Sequence, residues 1–371
     1  LYEESIHCFE QMQQEGIFPD AFAYVCILKA YANIGTLEKG KELHARVKVR
    51  EVLIESNVLV GTSLVDMYAK CDSLTKAQEM LDELPIRDVI SWNVIITGYV
   101  HRGYGEEALM CYEQMQWEGL SPNVVTFVCI LKACGIIGAL DNGRQVHARI
   151  DIDGFLGQNI FLGNALIDMY TKCGSLSKAH LVFCNLPVRD LVSWNSIIAG
   201  HVQHGHGQEA LNCFERMRNE GIRPDAFTFA CVLKSCGTIR AGHKGKEIHS
   251  EIVSGESGLL CRDPVLGSAL VDMYAKCGNL TCAQRVFDEI RVRNVISWTA
   301  LITGFCKYGQ GEEALGCVQR MLCEGLSPNP MTFSCVLKAC GNIGIPERGK
   351  EIHAEIVREG ILAKDTVLGN A

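Results

Sequence analysis

Several residue groupings in this chain have the composition of chemical sites. Two His-x-Glu triplets, at His249 and His353, hold a carboxylate two residues from a potential ligand, the arrangement zinc deaminases use. Their partner motif, Pro-Cys-x-x-Cys, is absent, and the same column reads His-Ala-Arg at His44 and His147, so the carboxylate is not a fixed element. Three G-x-G-x-x-A runs, at Gly103, Gly205 and Gly309, match a variant of the dinucleotide fingerprint. That loop must follow a strand, whereas each of these follows a helical pattern and sits in a turn. Cys26, Cys129, Cys231 and Cys335 share one column of a repeat and read as packing residues rather than metal ligands. A less familiar grouping remains. The run RDLVSWNSIIAG, residues 189–200, sets Asp190 and Asn195 among apolar neighbours, and near-copies begin at Arg87 and Arg293. The polar places recur while their identities change.

Composition narrows the reading. The chain has 371 residues, 48% of them hydrophobic, and a net charge of −8. That balance argues against non-specific coating of nucleic acid, which needs a basic surface, though a local basic stripe is compatible with it. No window approaches the ~18 consecutive apolar residues of a membrane span, so the chain reads as soluble. No targeting segment is legible, and both ends read as cut from a longer array. Nineteen cysteines without a C-x-x-C pair, in a long helix-patterned chain, read as reduced thiols used as small core residues.

The elements that position the polar places follow from internal repetition. The segment MYAKCDSL at Met67 returns as MYTKCGSL at Met169 and MYAKCGNL at Met273, 102 and then 104 residues on. Each long period divides into three pieces, for example 89–123, 124–159 and 160–190, of 35, 36 and 31 residues. The next cycle is 191–225, 226–263 and 264–294; 21–57 and 58–88 precede, 295–329 and 330–365 follow, and 1–20 and 366–371 are partial. Within a piece, Trp92, Ile95, Ile96 and Tyr99 follow the i, i+3, i+4, i+7 stripe of a core-facing helix. A glycine turn and a second stripe, Ala108, Leu109, Tyr112 and Met115, come next, ending at Gly119 as C-cap and Pro122 as stop. Hairpins this short cannot bury their apolar faces alone. The expected fold is all-α, an α-solenoid of helix-turn-helix repeats forming a superhelix.

The piece VISWNVIITGYVHRGYGEEALMCYEQMQWEGLSPN resembles a pentatricopeptide repeat, and the 35/36/31 alternation resembles the P, L and S variants of plant organellar PLS-class proteins. SWN-x-[IL]I-x-G resembles the P signature, TF-x-x-[IV]LKACG the L signature and MY-x-KCG-x-L the S signature. The resemblance implies sequence-specific binding of single-stranded RNA, one base per repeat. It further implies the recognition half of an organellar C-to-U editing factor, in mitochondrion or chloroplast, with editing-complex proteins as partners. No cofactor, metal, membrane or small-molecule substrate is expected, and no catalytic residue, the deaminase-like domain of such factors being absent from this chain. RNA splicing or stabilisation, or a protein-binding helical scaffold, are the alternatives.

In this family the base is chosen by the fifth and last residues of each repeat. The expected reading pairs are Thr62 with Asp88 (G), Asn93 with Asn123 (a pyrimidine, C favoured), Asn164 with Asp190 and Asn195 with Asp225 (U), and Ser268 with Asn294 and Thr299 with Asn329 (A). The L-like fifth residues Val25, Val128, Ala230 and Ser334 read weakly, giving G-Y-N-U-U-N-A-A in the direction of the chain. Asp and Asn also make good N-caps, which accounts for the alphabet of the last position but not for its pairing with a variable fifth residue. Second-position residues Leu59, Ile90, Phe161, Val192, Val265 and Ile296 are either base wedges or core. Lys29, Lys132, Lys234 and Lys338 of the L-like repeats, and Lys70, Lys172 and Lys276 of the S-like ones, lie in one helical phase, as a phosphate-tracking groove requires. The S-like lysines each have an Asp four residues earlier, so helix-stabilising ion pairs are an equal reading for them.

Overall fold

The computed structural model describes residues 2–48, 58–156, 159–254 and 263–358. These form twenty-one α-helices, with no strand among the described residues. The chain divides into two compact halves, Leu1–Arg189 and Asp190–Ala371.

The first half holds α1 (Tyr2–Gln14), α2 (Ala21–Ile34), α3 (Leu37–Lys48), α4 (Val58–Lys70), α5 (Leu74–Asp82), α6 (Val89–His101), α7 (Gly105–Trp117), α8 (Val124–Ile137), α9 (Leu140–Ile152), α10 (Ile160–Lys172) and α11 (Leu176–Asn185). From α2 onward these are consecutive hairpins, and the first helices α2, α4, α6, α8 and α10 pack side by side in chain order. The second half repeats the plan with α12 (Leu191–Gln203), α13 (Gly207–Asn219), α14 (Ala226–Thr238), α15 (Gly242–Ser254), α16 (Pro264–Lys276), α17 (Leu280–Glu289), α18 (Val295–Lys307), α19 (Gly311–Cys323), α20 (Pro330–Ile343) and α21 (Pro346–Arg358).

Each first helix except α4, whose preceding residues lie outside the described ones, opens on an Asp or Asn whose side chain accepts a backbone N–H of the first turn. Five of them, α6, α8, α12, α14 and α18, complete a reciprocal capping box through Ser or Thr at the third position. At the other end, α7 is capped by Glu118 and not by Gly119 as its sequence led us to expect. Gly119 follows one residue later at φ 78°, the left-handed conformation that glycine adopts without steric cost.

The core lies between the two helices of each hairpin and between neighbouring hairpins. Trp92, Trp194 and Trp298 are wholly buried. Trp92 Nε1 donates to Glu118 Oε2 at 2.9 Å and Trp298 Nε1 to Glu324 Oε2 at 3.1 Å, which satisfies the indole at the end of the hairpin. The methionine of the recurring MY segment needs a glycine opposite it: a Cβ on Gly143 would lie 2.5 Å from Met169 Sδ. Beside it, His147 and Tyr170 meet at 2.8 Å, as do His44 with Tyr68 and His249 with Tyr274 at 2.9 Å. His249 of the first His-x-Glu triplet therefore spends a ring nitrogen on a tyrosine. Burial pushes its pKa down, against a smaller opposing pull from Glu289. The G-x-G-x-x-A glycines sit in helix-to-helix turns, Gly103, Gly205 and Gly309 all at positive φ. In the cysteine column, Cys129 is buried and Cys231 and Cys335 are half-buried, whereas Cys26, with only α1 before its helix, is exposed. No helix among the described residues is long and apolar enough to cross a membrane.

Candidate nucleic-acid interface

The fifth residue of a repeat lies on the second turn of its first helix, and the last residue caps the first helix of the following repeat. Stacking these helices side by side brings the two together. In the first half, Asn93 Nδ2 donates to Asn123 Oδ1 at 3.1 Å. In the second half, Asn195 Nδ2 lies 3.2 and 3.3 Å from the two carboxylate oxygens of Asp225. Ser268 Oγ donates to Pro264 O at 2.8 Å and lies 3.3 Å from Asn294 Oδ1. Thr299 reaches Asn329 through Thr332: the two threonine hydroxyls are 2.8 Å apart, and Thr332 Oγ1 is 2.9 Å from Asn329 Oδ1. Thr62 is buried with no hydrogen-bond partner on its hydroxyl among the described residues, while Asp88 caps α6 through Ser91 N–H at 2.8 Å. Asn164 is buried on α10 of the first half, and Asp190 caps α12 of the second, accepting from Ser193 N–H at 2.8 Å.

Capping and pairing are therefore not rivals. Asp225 Oδ1 accepts the backbone N–H of Thr228 at 2.8 Å and lies equally close to the Thr228 hydroxyl, while its carboxylate also holds Asn195. Burial alone would push this carboxyl up. The bonds from Thr228 and Asn195 outweigh it and hold the pKa below the usual carboxylate range, so Asp225 is an acceptor at neutral pH.

The second-position residues are not core. Leu59, Ile90, Phe161, Val192, Val265 and Ile296 are between 55% and 71% exposed. The L-like repeats supply the same column, with Phe22, Val125, Phe227 and Met331 also exposed. Their phase in the repeat is the sequence signal for them. In the first half an open groove of about 770 Å³ is lined by Asn93 and Asn123 together with Ile90 and Val125, the second residues of consecutive repeats. Lys70, His101 and Arg102 line it too, the last two unremarked in the sequence. Arg102 is paired with Asp72.

The two lysine sets differ. Lys70, Lys172 and Lys276 form i, i+4 ion pairs with Asp66, Asp168 and Asp272 at 2.9, 2.7 and 2.7 Å. Lys29, Lys132, Lys234 and Lys338 are exposed and have no carboxylate partner among the described residues.

Stacked hairpins with a capped polar pair between successive first helices define a helical-repeat protein of the solenoid class. Profiles of this class match directly. The PPR repeat family matches residues 87–135, 189–238 and 293–342, and the PPR repeat itself matches 62–89, 164–191 and 268–295, together more than half of the chain. The chloroplastic pentatricopeptide repeat-containing protein At4g18520 of Arabidopsis thaliana is 37% identical over 344 residues, 93% of this chain and 55% of the relative. The mitochondrial At2g03380 of the same plant is 34% identical over 360 residues, 97% of this chain and 51% of the relative. The chain thus spans about half the length of these curated relatives. Among solved structures, the pentatricopeptide repeat protein PPR10 from maize is similar with a TM-score of 0.69 at 21% identity, over 97% of this chain and 57% of that one. PPR10 has also been solved in complex with an 18-nt psaJ RNA element, where the similarity is 0.68 at 17% identity over 95% and 57%. The chain belongs to the pentatricopeptide repeat family.

Proposed function

We propose that the chain binds single-stranded RNA sequence-specifically, one base per repeat, with the register G-Y-N-U-U-N-A-A. The carrying observation is the Asn93–Asn123 groove, where a polar pair lies between two exposed apolar side chains, Ile90 and Val125. Exposed bases offer two apolar faces and a polar edge, and are read by stacking on the first and hydrogen bonding to the second.

The pairings have a chemical basis. Asn123 Oδ1 is occupied by Thr126 N–H and by Asn93, which leaves its Nδ2 donors for a base acceptor such as cytosine N3. Asp225 in the equivalent place is ionised and offers only acceptors, suited to the N3–H of uracil. The unpaired L-like lysines supply phosphate contacts, and the S-like lysines share theirs with aspartate.

The role we assign is the recognition module of an organellar C-to-U editing factor. The three-length alternation of the repeats and the chloroplastic and mitochondrial relatives support this assignment. Splicing or stabilisation of organellar transcripts would use the same interface.

A pairing swap tests the reading. Thr62→Asn beside Asp88 is expected to move the preference at the first position from G toward U and to leave the other seven unchanged, read by binding to oligonucleotides differing at one base. Equal affinity for G-Y-N-U-U-N-A-A and its scramble, or a swap that alters every position alike, overturns it.

A further inference from the structure

We propose that the third residue of an L-like repeat, Thr126 or Thr228, is a positioning residue for base selection by the repeat before it. This rests on the base-reading role above and adds to it a side chain outside the fifth and last positions.

The geometry is the same in both halves. Thr126 Oγ1 donates to Asn93 Oδ1 at 2.7 Å, and Thr228 Oγ1 to Asn195 Oδ1 at 2.6 Å. Each hydroxyl also lies 3.2 Å from the cap backbone N–H, of Asn123 or Asp225, which it accepts. Each threonine is fully buried, so the bond it makes to the fifth residue is out of competition with water.

A hydroxyl has one proton. In each repeat the distance to the fifth residue is the shorter one, compared with 3.1 Å to Asn123 Oδ1 and 2.8 Å to Asp225 Oδ1. The fifth asparagine is therefore held at both ends, its Oδ1 by threonine and its Nδ2 by the last residue. The Nδ2 bonds are the longer, at 3.1 to 3.3 Å. Held at the Nδ2 end alone, the amide can swing about its side-chain torsions, and the donor it presents to a base loses its fixed direction.

Thr332 provides an internal contrast. Its hydroxyl meets Thr299, but Thr299 already donates to Val295 O at 2.7 Å on its own helix. Removing the Thr332 hydroxyl leaves Thr299 oriented. All three threonines give their backbone N–H to the cap side chain, but only Thr126 and Thr228 hold the fifth residue as its sole side-chain oxygen contact of this kind.

The experiment compares Thr126→Val, Thr228→Val and Thr332→Val in the full chain. Valine keeps the branched shape and removes the hydroxyl. For each variant, affinities are measured for four oligonucleotides differing only at the base assigned to the preceding repeat, and thermal stability is measured alongside. The ratio between oligonucleotides cancels any uniform loss of folded protein. The expected result is a roughly three- to tenfold fall in discrimination at the second position for Thr126→Val and at the fifth for Thr228→Val, the worth of one hydrogen bond. Thr332→Val should keep its discrimination. Full discrimination in both Thr126→Val and Thr228→Val, or an equal loss in all three, overturns the inference while leaving base reading intact. A parent chain that does not discriminate at these positions removes the base-reading proposal itself, and this one with it. If either valine variant fails to fold, the other half carries the same test independently.

Discussion

Three kinds of seam join consecutive repeats, and two of them use the same elements differently. Where an S-like repeat meets a P-like one, the third residue is serine. Ser91 Oγ donates to Asp88 O at 2.8 Å and Ser297 Oγ to Asn294 O at 2.9 Å, each turning back to its own cap. Where a P-like repeat meets the L-like repeats that begin at 124, 226 and 330, the third residue is threonine, and its hydroxyl crosses to the fifth residue of the previous repeat. The first seam closes a helix end. The second ties that helix end to a neighbouring side chain that faces the groove. The lysines also divide, since the L-like helices carry a lysine with no carboxylate partner among the described residues and the S-like ones a lysine bound to aspartate.

The contrast can be broken by experiment. Ser297→Ala is expected to cost about 1 kcal/mol of stability through the lost capping box, measured by denaturant unfolding, with base preference at the Ser268–Asn294 position unchanged. A shift in that preference would mean the two seams act alike. A smaller effect distinguishes the lysines. Lys132→Ala should lower the slope of log affinity against log salt by roughly 0.7, the single-strand value per phosphate contact, and Lys172→Ala by clearly less. Equal slopes would erase the distinction.

The gentlest prediction concerns the third seam, from L-like to S-like, built on His147–Tyr170 and His249–Tyr274. Burial lowers both histidine pKa values. The unfolded chain then takes up protons first as pH falls, so the stability these groups contribute is complete above an unfolded pKa of about 6.5 and is lost as pH drops toward the folded value. Melting temperatures at pH 7.5 and 5.5 should show the loss, and His249→Gln should reduce it.

The helical hairpins were legible because burial writes itself into sequence with a period of 3.6, and because Asp and Asn at the caps mark where each first helix begins. The columns of the interface were legible for the same reason: residues in one phase of one repeat share a face in the next. Which neighbour a buried hydroxyl chooses was not legible. Thr126 and Ser91 occupy the same column and both complete a capping box, and only packing in three dimensions separates their second bonds. The second-position side chains were ambiguous from sequence alone, since an apolar residue one step from a helix start is compatible with core or surface. Their exposure removes the core alternative.

The double use of the cap oxygen has a consequence for how much a repeat can say. Folding tolerates few residue types at the last position, because the first turn of the next helix needs a side-chain acceptor there. The nine described caps are all Asp or Asn. These two residues are almost the same shape and differ in whether the second arm accepts or donates. On the proposed base reading, the position therefore carries one binary digit, and the choice costs the scaffold little, since either letter caps the helix. A second digit has to come from the fifth residue, where no cap constrains the alphabet, and four bases require two.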